Sequence, residues 1–296
     1  MPPAMDLPAL LVANDHSRRG REAGPFAEAL QRGGMRLRQE RCRRREELPA
    51  LIRGLRDQVG AVILAGGDGT MSVAAPALRE TGLPLGILPL GTANDLARTL
   101  AIPLEGEAAA AVILAGHRRQ LDLGCVNGHL FFNVASLGLS VAITQRLTRV
   151  MKRRWGRLAY PIAAAAVILR ARRFSATIRV DGQDIPVKSM QIAVGNGRHY
   201  GGGMVVADGA EIDDGRLDVY SLEPQARWRL LWMARAFRDG EHDALDEVRT
   251  LACRSLEVRT RRWRHVSADG EIITRTPARF TLLPRAVTVF APPVEG

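Results

Sequence analysis

Cysteine is scarce in this chain: Cys42, Cys125 and Cys253 are the only three in 296 residues. They stand far apart, without metal-ligand spacing or a paired framework. That excludes a disulfide-stapled scaffold and suits a reducing cytosol. Long apolar runs are missing as well. The longest candidate, Leu158 to Leu169, has 12 residues and contains Pro161, well short of the roughly 20 that a membrane-crossing helix needs. No basic segment followed by a long apolar core opens the chain, so a secretory signal is not expected. No Walker A sequence is present, which excludes a P-loop kinase. Tandem repeats and low-complexity segments are also lacking. Acidic residues fall short of basic ones, 31 against 42, for a net charge of +11. Such a balance points to an anionic partner: nucleic acid, a phospholipid surface or nucleotide phosphate.

What the chain does have begins at residues 61–70. The apolar run Ala61-Val62-Ile63-Leu64-Ala65 leads into Gly66-Gly67-Asp68-Gly69-Thr70. A short strand ending in glycines lets main chain turn sharply and approach a bulky anion. The segment Met71 to Arg79 is predicted helical, so the loop would present N–H groups at a helix N-terminus, a favourable place for phosphate. Asp68 adds a carboxylate able to hold a cation beside it. A plain strand-to-helix turn is the other reading of the pentapeptide. A second unit follows: Leu85 to Leu88 as strand, Gly91 as turn, then Thr92, Asn94 and Asp95 before a helix predicted from Ala93 to Leu100. Thr92 either bonds a phosphate or caps that helix, and Asp95 also suits the helix dipole. In open α/β sheets, ligands bind at the carboxyl ends of such strands.

At 296 residues and 46% hydrophobic composition the chain has room for two domains. Residues 8–120 alternate strand and helix: a strand over 9–13, a helix over 20–32, a strand over 35–39, a helix over 46–58, the two glycine units, and a helix over 107–115. This rhythm predicts an α/β domain with a doubly wound parallel sheet over residues 1–121. From there short β-like runs dominate, at 130–134, 176–180, 190–194, 217–222, 255–259, 279–283 and 287–290. Helices are predicted within 142–172 and 225–240. The second domain, 122–296, is therefore expected to be a mostly antiparallel β-sandwich. Taken alone, Ala268-Asp269-Gly270-Glu271 is a hairpin turn, and Asp213-Asp214-Gly215 a type I turn.

Together these residues resemble a family. The Gly66–Thr70 motif with Pro89-Leu90-Gly91-Thr92-Ala93-Asn94-Asp95-Leu96-Ala97-Arg98 resembles the diacylglycerol kinase catalytic-domain family, above all its bacterial YegS-like lipid kinases. Three later stretches are similar to the family's remaining motifs: Gly195-Asn196-Gly197 through Gly201-Gly202-Gly203-Met204, Ala210-Glu211-Ile212-Asp213-Asp214-Gly215-Arg216, and Asp269-Gly270-Glu271. The likeness spans nearly the whole chain. The resemblance implies transfer of the γ-phosphate of ATP, with Mg²⁺, to a lipid hydroxyl. Gly66, Gly67, Asp68, Gly69, Thr70, Met71, Ser72 and Thr92 would meet the nucleotide, with Asn14 and Ser17 near the N-terminus. Asp68, Asp95 and Asp269 would form the catalytic magnesium network, and Glu271 would be the general base. Asp214, with main-chain groups of Glu211 and Arg216, would hold a structural Mg²⁺; a plain turn remains the alternative there. Two departures stand out. The N-terminal stretch reads Ala13-Asn14-Asp15-His16-Ser17 where the family carries Asn-Pro-x-Ser-Gly, and Ser72-Val73 replace Asn-Glu.

The stretch Arg146 to Arg173 holds nine basic residues and no acidic one, with Trp155 and Tyr160 among them. It reads either as a peripheral element for an anionic membrane surface or as an ordinary helix with solvated arginines. Arg259 to His265, with Trp263, extends the same pattern. Nucleic acid is not the expected partner, since no recognised binding motif accompanies these charges. The expectation is thus a cytoplasmic lipid kinase, peripheral at the inner membrane face, with a diacylglycerol or related glycerolipid as substrate; a homodimer stays open. An ATP-dependent NAD kinase, which shares the first motif, is the alternative enzyme. A non-catalytic nucleotide or lipid sensor is the alternative of another class.

Overall fold

A computed structural model of the chain describes residues 7–14, 23–42, 44–146, 167, 170–196, 199–200, 204–205, 211–223 and 248–293. Ser17, the middle of the 195–204 glycine segment, most of 147–169 and the helix expected within 225–240 lie outside them. The described residues form two compact units. One runs to Leu123 and takes up the chain again from Leu283; the other begins at Gly124 and ends at Leu282.

The first unit is an α/β layer structure. Strands β1 (Ala9–Asn14), β2 (Leu37–Cys42), β3 (Ala61–Gly66) and β4 (Leu85–Pro89) are parallel, in the order β2-β1-β3-β4. Helices α1 (Ala23–Arg32), α2 (Leu48–Gly54), α3 (Asp68–Thr81), α4 (Asp95–Thr99) and α5 (Gly106–Ala115) connect and follow them. Helix α2 packs with α3, and α1 packs with α5, which also lies on β4. The central strands β3 and β4 are buried almost throughout, as parallel strands covered on both faces must be. Strand β2 is Leu-Arg-Gln-Glu-Arg-Cys and half-exposed, fitting its place at the edge. Because β2 and β3 flank β1 on opposite sides, the order reverses between β1 and β3. Their carboxyl ends, Asn14 and Gly66, stand at that switch point, where doubly wound sheets take their ligands.

The second unit is a β-sandwich. Strand β5 (Arg118–Val126) leads in, followed by β6 (His129–Phe131), β7 (Val134–Gly138), α6 (Leu139–Arg146), β8 (Phe174–Val180), β9 (Gln183–Ser189) and β10 (Gln191–Gly195). Then come β11 (His199–Tyr200), β12 (Met204–Val205), β13 (Leu217–Leu222), β14 (Val248–Cys253), β15 (Ser255–Thr260), β16 (His265–Ala268), β17 (Glu271–Arg275) and β18 (Ala278–Phe290). One sheet is antiparallel, ordered β14-β13-β10-β7-β16-β17. Facing it, β9, β8, β15 and the first half of β18 pair antiparallel. Leu137, Ile192, Val194 and Val219 from one sheet and Phe174, Ile178, Val258 and Phe280 from the other share one core. No helix among the described residues is long and apolar enough to cross a membrane.

The architecture matches the expected α/β domain followed by an antiparallel sandwich, with local corrections. The C-terminal end belongs with the first unit: Val289 of β18 pairs parallel with Leu85 of β4, and the Ala291 N–H donates to the His117 carbonyl at 3.2 Å. The strand expected over 130–134 is broken at Phe132-Asn133, whose N–H groups turn to a carboxylate instead of a ladder partner. The runs 279–283 and 287–290 are one strand, β18. Pro284-Arg285 does not end it because Arg285, at φ 48°, gives its N–H to the buried Asp122 carboxylate at 2.7 Å.

Candidate active site

Strand β3 ends at Gly66 and helix α3 begins at Asp68, with extended Gly67 as its N-cap residue. The helix thus starts three residues earlier than the sequence pattern indicates. Asp68, Gly69 and Thr70 form its first turn, where main-chain donors lack intrahelical acceptors. The Thr70 N–H already closes a tight turn to the Gly67 carbonyl at 2.8 Å. The second glycine turn lies against the first: a Cβ on Gly91 would come within 2.6 Å of the Gly67 Cα, and one on Gly67 within 2.8 Å of the Gly91 Cα. Only glycine fits at either position, and the two turns meet as bare backbone.

Two side chains fix this contact. Asn94, itself in the left-handed region at φ 52°, accepts the Gly91 N–H at 2.9 Å and donates its amide to the Gly91 carbonyl at 3.2 Å. Asp68 reaches to the other turn, where its Oδ1 accepts the Leu96 N–H at 3.0 Å. A carboxylate on the N-terminal turn of α4 is electrostatically favourable, and it ties the two loops together. Asp95 opens α4 and is buried, Thr92 is exposed, and Thr70 is half-buried. Met71 points into the core with 2% exposure, and its N–H donates to the Gly67 carbonyl. The Ser72 hydroxyl donates back to the Asp68 carbonyl at 3.0 Å. Asn14 ends β1 beside β3.

In the second unit, Asp269-Gly270 is the two-residue turn of the β16–β17 hairpin. Both residues have positive φ, 45° and 83°, the backbone that a type I′ turn requires. The Asp269 carboxylate folds back on the chain before β7. Its Oδ2 accepts the Phe132 N–H at 2.9 Å, and its Oδ1 accepts those of Asn133 and Val134 at 3.0 and 3.2 Å. The Asp269 N–H in turn donates to the Val134 carbonyl at 3.0 Å. From the other side the buried Asn196 donates its side-chain amide to the Phe132 carbonyl at 2.8 Å and its N–H to the Asn133 carbonyl at 2.7 Å. An ionised carboxylate has about four acceptor sites, and Asp269 spends three on main chain. These bonds brace the turn, and the hairpin carries the half-buried Glu271 at the first position of β17. Asn196 and the Phe132–Val134 segment were absent from the expected site. Asn196 stands in the Gly195-Asn196-Gly197 motif, which marked the stretch but not the role of its side chain; a run of main-chain donors has no sequence signal.

The expected structural cation loop is closed on itself. Asp214 accepts the N–H groups of Glu211 and Arg216 at 3.3 and 3.1 Å, and the Arg216 guanidinium lies 3.0 Å from Oδ2. A cation there would have to displace that guanidinium. Among the described residues, no three or more His, Cys, Asp or Glu side chains stand close enough to share a metal. Asp68 keeps the chemistry a hard cation wants: one carboxylate oxygen is anchored on the Leu96 N–H, which sets the orientation of the group.

An α/β unit with backbone-lined glycine turns is thus followed by a sandwich that presents an Asp-Gly-Glu hairpin. Comparison with known proteins gives the family. Residues 8–126 match the diacylglycerol kinase catalytic domain, and 133–291 match the YegS C-terminal NAD kinase beta sandwich-like domain. A diacylglycerol kinase of Mycobacterium tuberculosis is 35% identical over 241 residues, covering 78% of this chain and 77% of that protein. A Pseudomonas aeruginosa protein named "Probable lipid kinase YegS-like" is 36% identical over 239 residues, covering 78% and 76%. The crystal structure of a diacylglycerol kinase from Bacillus anthracis shares the fold, with a TM-score of 0.75 at 22% identity over 97% of both chains. The chain belongs to the diacylglycerol kinase catalytic-domain family, in its YegS-like branch, and is a phosphotransferase with an alcohol group as acceptor.

Proposed function

We propose that the protein transfers the γ-phosphate of ATP to the hydroxyl of a diacylglycerol or related glycerolipid, as a peripheral enzyme at the cytoplasmic face of the membrane. The observation that carries this reading is the pair of glycine turns, whose Cα atoms meet with no room for a side chain. Backbone donors on a bare wall at a helix start suit a polyphosphate. Gly66, Gly67, Gly69 and Thr70 would grip the triphosphate, with the exposed Thr92 hydroxyl beside them. Mg²⁺ would neutralise the phosphate charge, and Asp68, held in orientation by Leu96, is the residue that fits it, with Asp95 near by at the start of α4. Glu271 would take the proton from the lipid hydroxyl. Asp269 and Asn196 brace the Phe132–Val134 segment, and Asp269 fixes the turn from which Glu271 projects.

The test offers radiolabelled ATP to mixed lipids and to NAD in parallel. Label in a chloroform-soluble product, lost in the Asp68→Ala and Glu271→Gln variants, supports the assignment. Label in NADP would replace it with the NAD kinase reading, and absence of label from both would favour a non-catalytic sensor.

A further inference from the structure

The sandwich unit carries a groove that the proposed transfer does not use. It measures about 760 Å³, and its lining includes Ser175 and Thr177 of β8, Lys188 of β9 and Arg259 of β15, with Arg173 and Arg261 next to the strand ends. Phe174, Ala176 and Ile178 face the sandwich core, so Ser175 and Thr177 between them face outward. The ladders set the groove in two rows. In one, Ser175 lies opposite Lys188, and on its other side Arg261 follows the Thr260–Ala176 pair. In the other, Thr177 lies opposite Arg259. Neighbouring strands are about 4.8 Å apart, so each hydroxyl stands beside an exposed cation. The groove is remote from the candidate base. Its Glu223 follows β13, Glu271 opens β17, and β10, β7 and β16 lie between them, four strand spacings or about 19 Å. The two also sit at opposite strand ends: Leu222 pairs through Gln191 with Gly138, whereas Asp269 meets Val134.

The basic field is short, because carboxylates bound it at both ends. The next row along the strands is Glu257, Arg179 and Asp184, in which Arg179 pairs with Asp184 at 2.6 Å and Glu257 draws Arg259 at 2.9 Å. One such pair leaves Arg259 further donors, since a guanidinium has five. At the opposite end the Ser189 hydroxyl, closing β9, donates to the Leu222 carbonyl at 3.1 Å. That brings up the half-buried Glu223, whose carboxylate is held by Arg249 at 3.1 Å. A polymer such as RNA would run into these carboxylates, and no aromatic side chain among the lining residues offers a base a stacking platform. None of the exposed large hydrophobic side chains lines the groove either, so it offers a bilayer nothing to insert. What fits is a compact anion. The two rows stand about 7 Å apart, two residues along the strands. Phosphates joined through one bridging oxygen are too close together to use both.

We propose that this groove is a second anion site, for a small soluble molecule that carries two phosphates on separate hydroxyls. Arg261 and Lys188, on either side of Ser175, take one phosphate, and Arg259 beside Thr177 takes the other, through charge-assisted hydrogen bonds. Calorimetric titration of the full chain tests it, with fructose 1,6-bisphosphate as the probe and fructose 6-phosphate and inorganic pyrophosphate beside it. The bisphosphate is expected to bind at one site, at least tenfold tighter than the monophosphate or pyrophosphate, and to stay bound in saturating MgATP. Lys188→Gln and Arg261→Gln each weaken it about tenfold, as loss of a hydrogen bond to a charged group does. Both side chains are exposed, so thermal unfolding without the probe is expected to match the unchanged chain and shows that the variants fold. Equal affinity in the double variant, equal affinity for one phosphate and two, or displacement by MgATP would overturn the proposal. Retention on anionic vesicles by a chain that ignores the soluble bisphosphate would overturn it as well. The measurement needs no turnover, so its outcome and that of the lipid-kinase reading are separate.

Discussion

Asp68 and Asp269 sit in similar company, each beside glycine at the end of a strand, yet they are used differently. Asp68 gives one oxygen to one main-chain donor, Leu96. Asp269 gives both oxygens to three, on Phe132, Asn133 and Val134. The first keeps acceptor capacity for a cation or for substrate. The second holds a turn, and so fixes the hairpin from which Glu271 projects.

The largest effect that sharpens this contrast is expected at Glu271. Glu271→Gln lowers lipid phosphorylation about 10²- to 10⁴-fold, as loss of a general base does, while thermal unfolding is unchanged. Measured together, the two readouts separate chemistry from stability, and an unfolding shift as large as that of the Asp269 variant would refute the separation. At Asp269 the pattern inverts. Asp269→Ala leaves three donors without their acceptor and costs on the order of 3 kcal/mol in denaturant unfolding. Asp269→Asn, which keeps one acceptor oxygen, costs less; equal losses for the two would show that the bonds to Oδ1 and Oδ2 do not matter. Gly91→Ala comes next. Its Cβ would press on Gly67 and on Asn94 Oδ1 at 2.5 Å, so a destabilisation of about 1–3 kcal/mol and weaker nucleotide binding by calorimetry are expected. The smallest effect concerns Cys253, far from both carboxylates in role. Burial, with Asp181 and Asp218 adding, pushes its thiol up to about 11 from 9.0. The neutral thiol is favoured in the fold, so its contribution is whole below pH 9 and is lost as pH rises through 11. Cys253→Ala should flatten the alkaline limb of a stability–pH curve; an unchanged limb would contradict the assignment.

Much of this was legible in the sequence where local chemistry is strong. The apolar run before Gly66 announced β3, and two glycine units in succession announced the parallel sheet. The hairpin at Asp269-Gly270 followed from the turn chemistry alone. What stayed hidden depends on tertiary partners. Strand β9, Gln-Asp-Ile-Pro-Val-Lys-Ser, is too polar to announce itself, and it holds its place through its ladder with β8. The continuity of β18 across Pro284-Arg285 depends on Asp122, which is distant in sequence. The bracing role of Asp269 depends on donors more than 130 residues away. No local pattern encodes them.

Asp68 and Glu271 are each needed for the proposed transfer from ATP to a lipid hydroxyl. Single-turnover transfer of labelled phosphate to diacylglycerol in mixed micelles tests it most directly, comparing the unchanged chain with Asp68→Ala and Glu271→Gln. Labelled phosphatidic acid from the unchanged chain, and at least a hundredfold less from each variant (about the lower bound for a lost general base), is the predicted result. Undiminished transfer in either folded variant would contradict it.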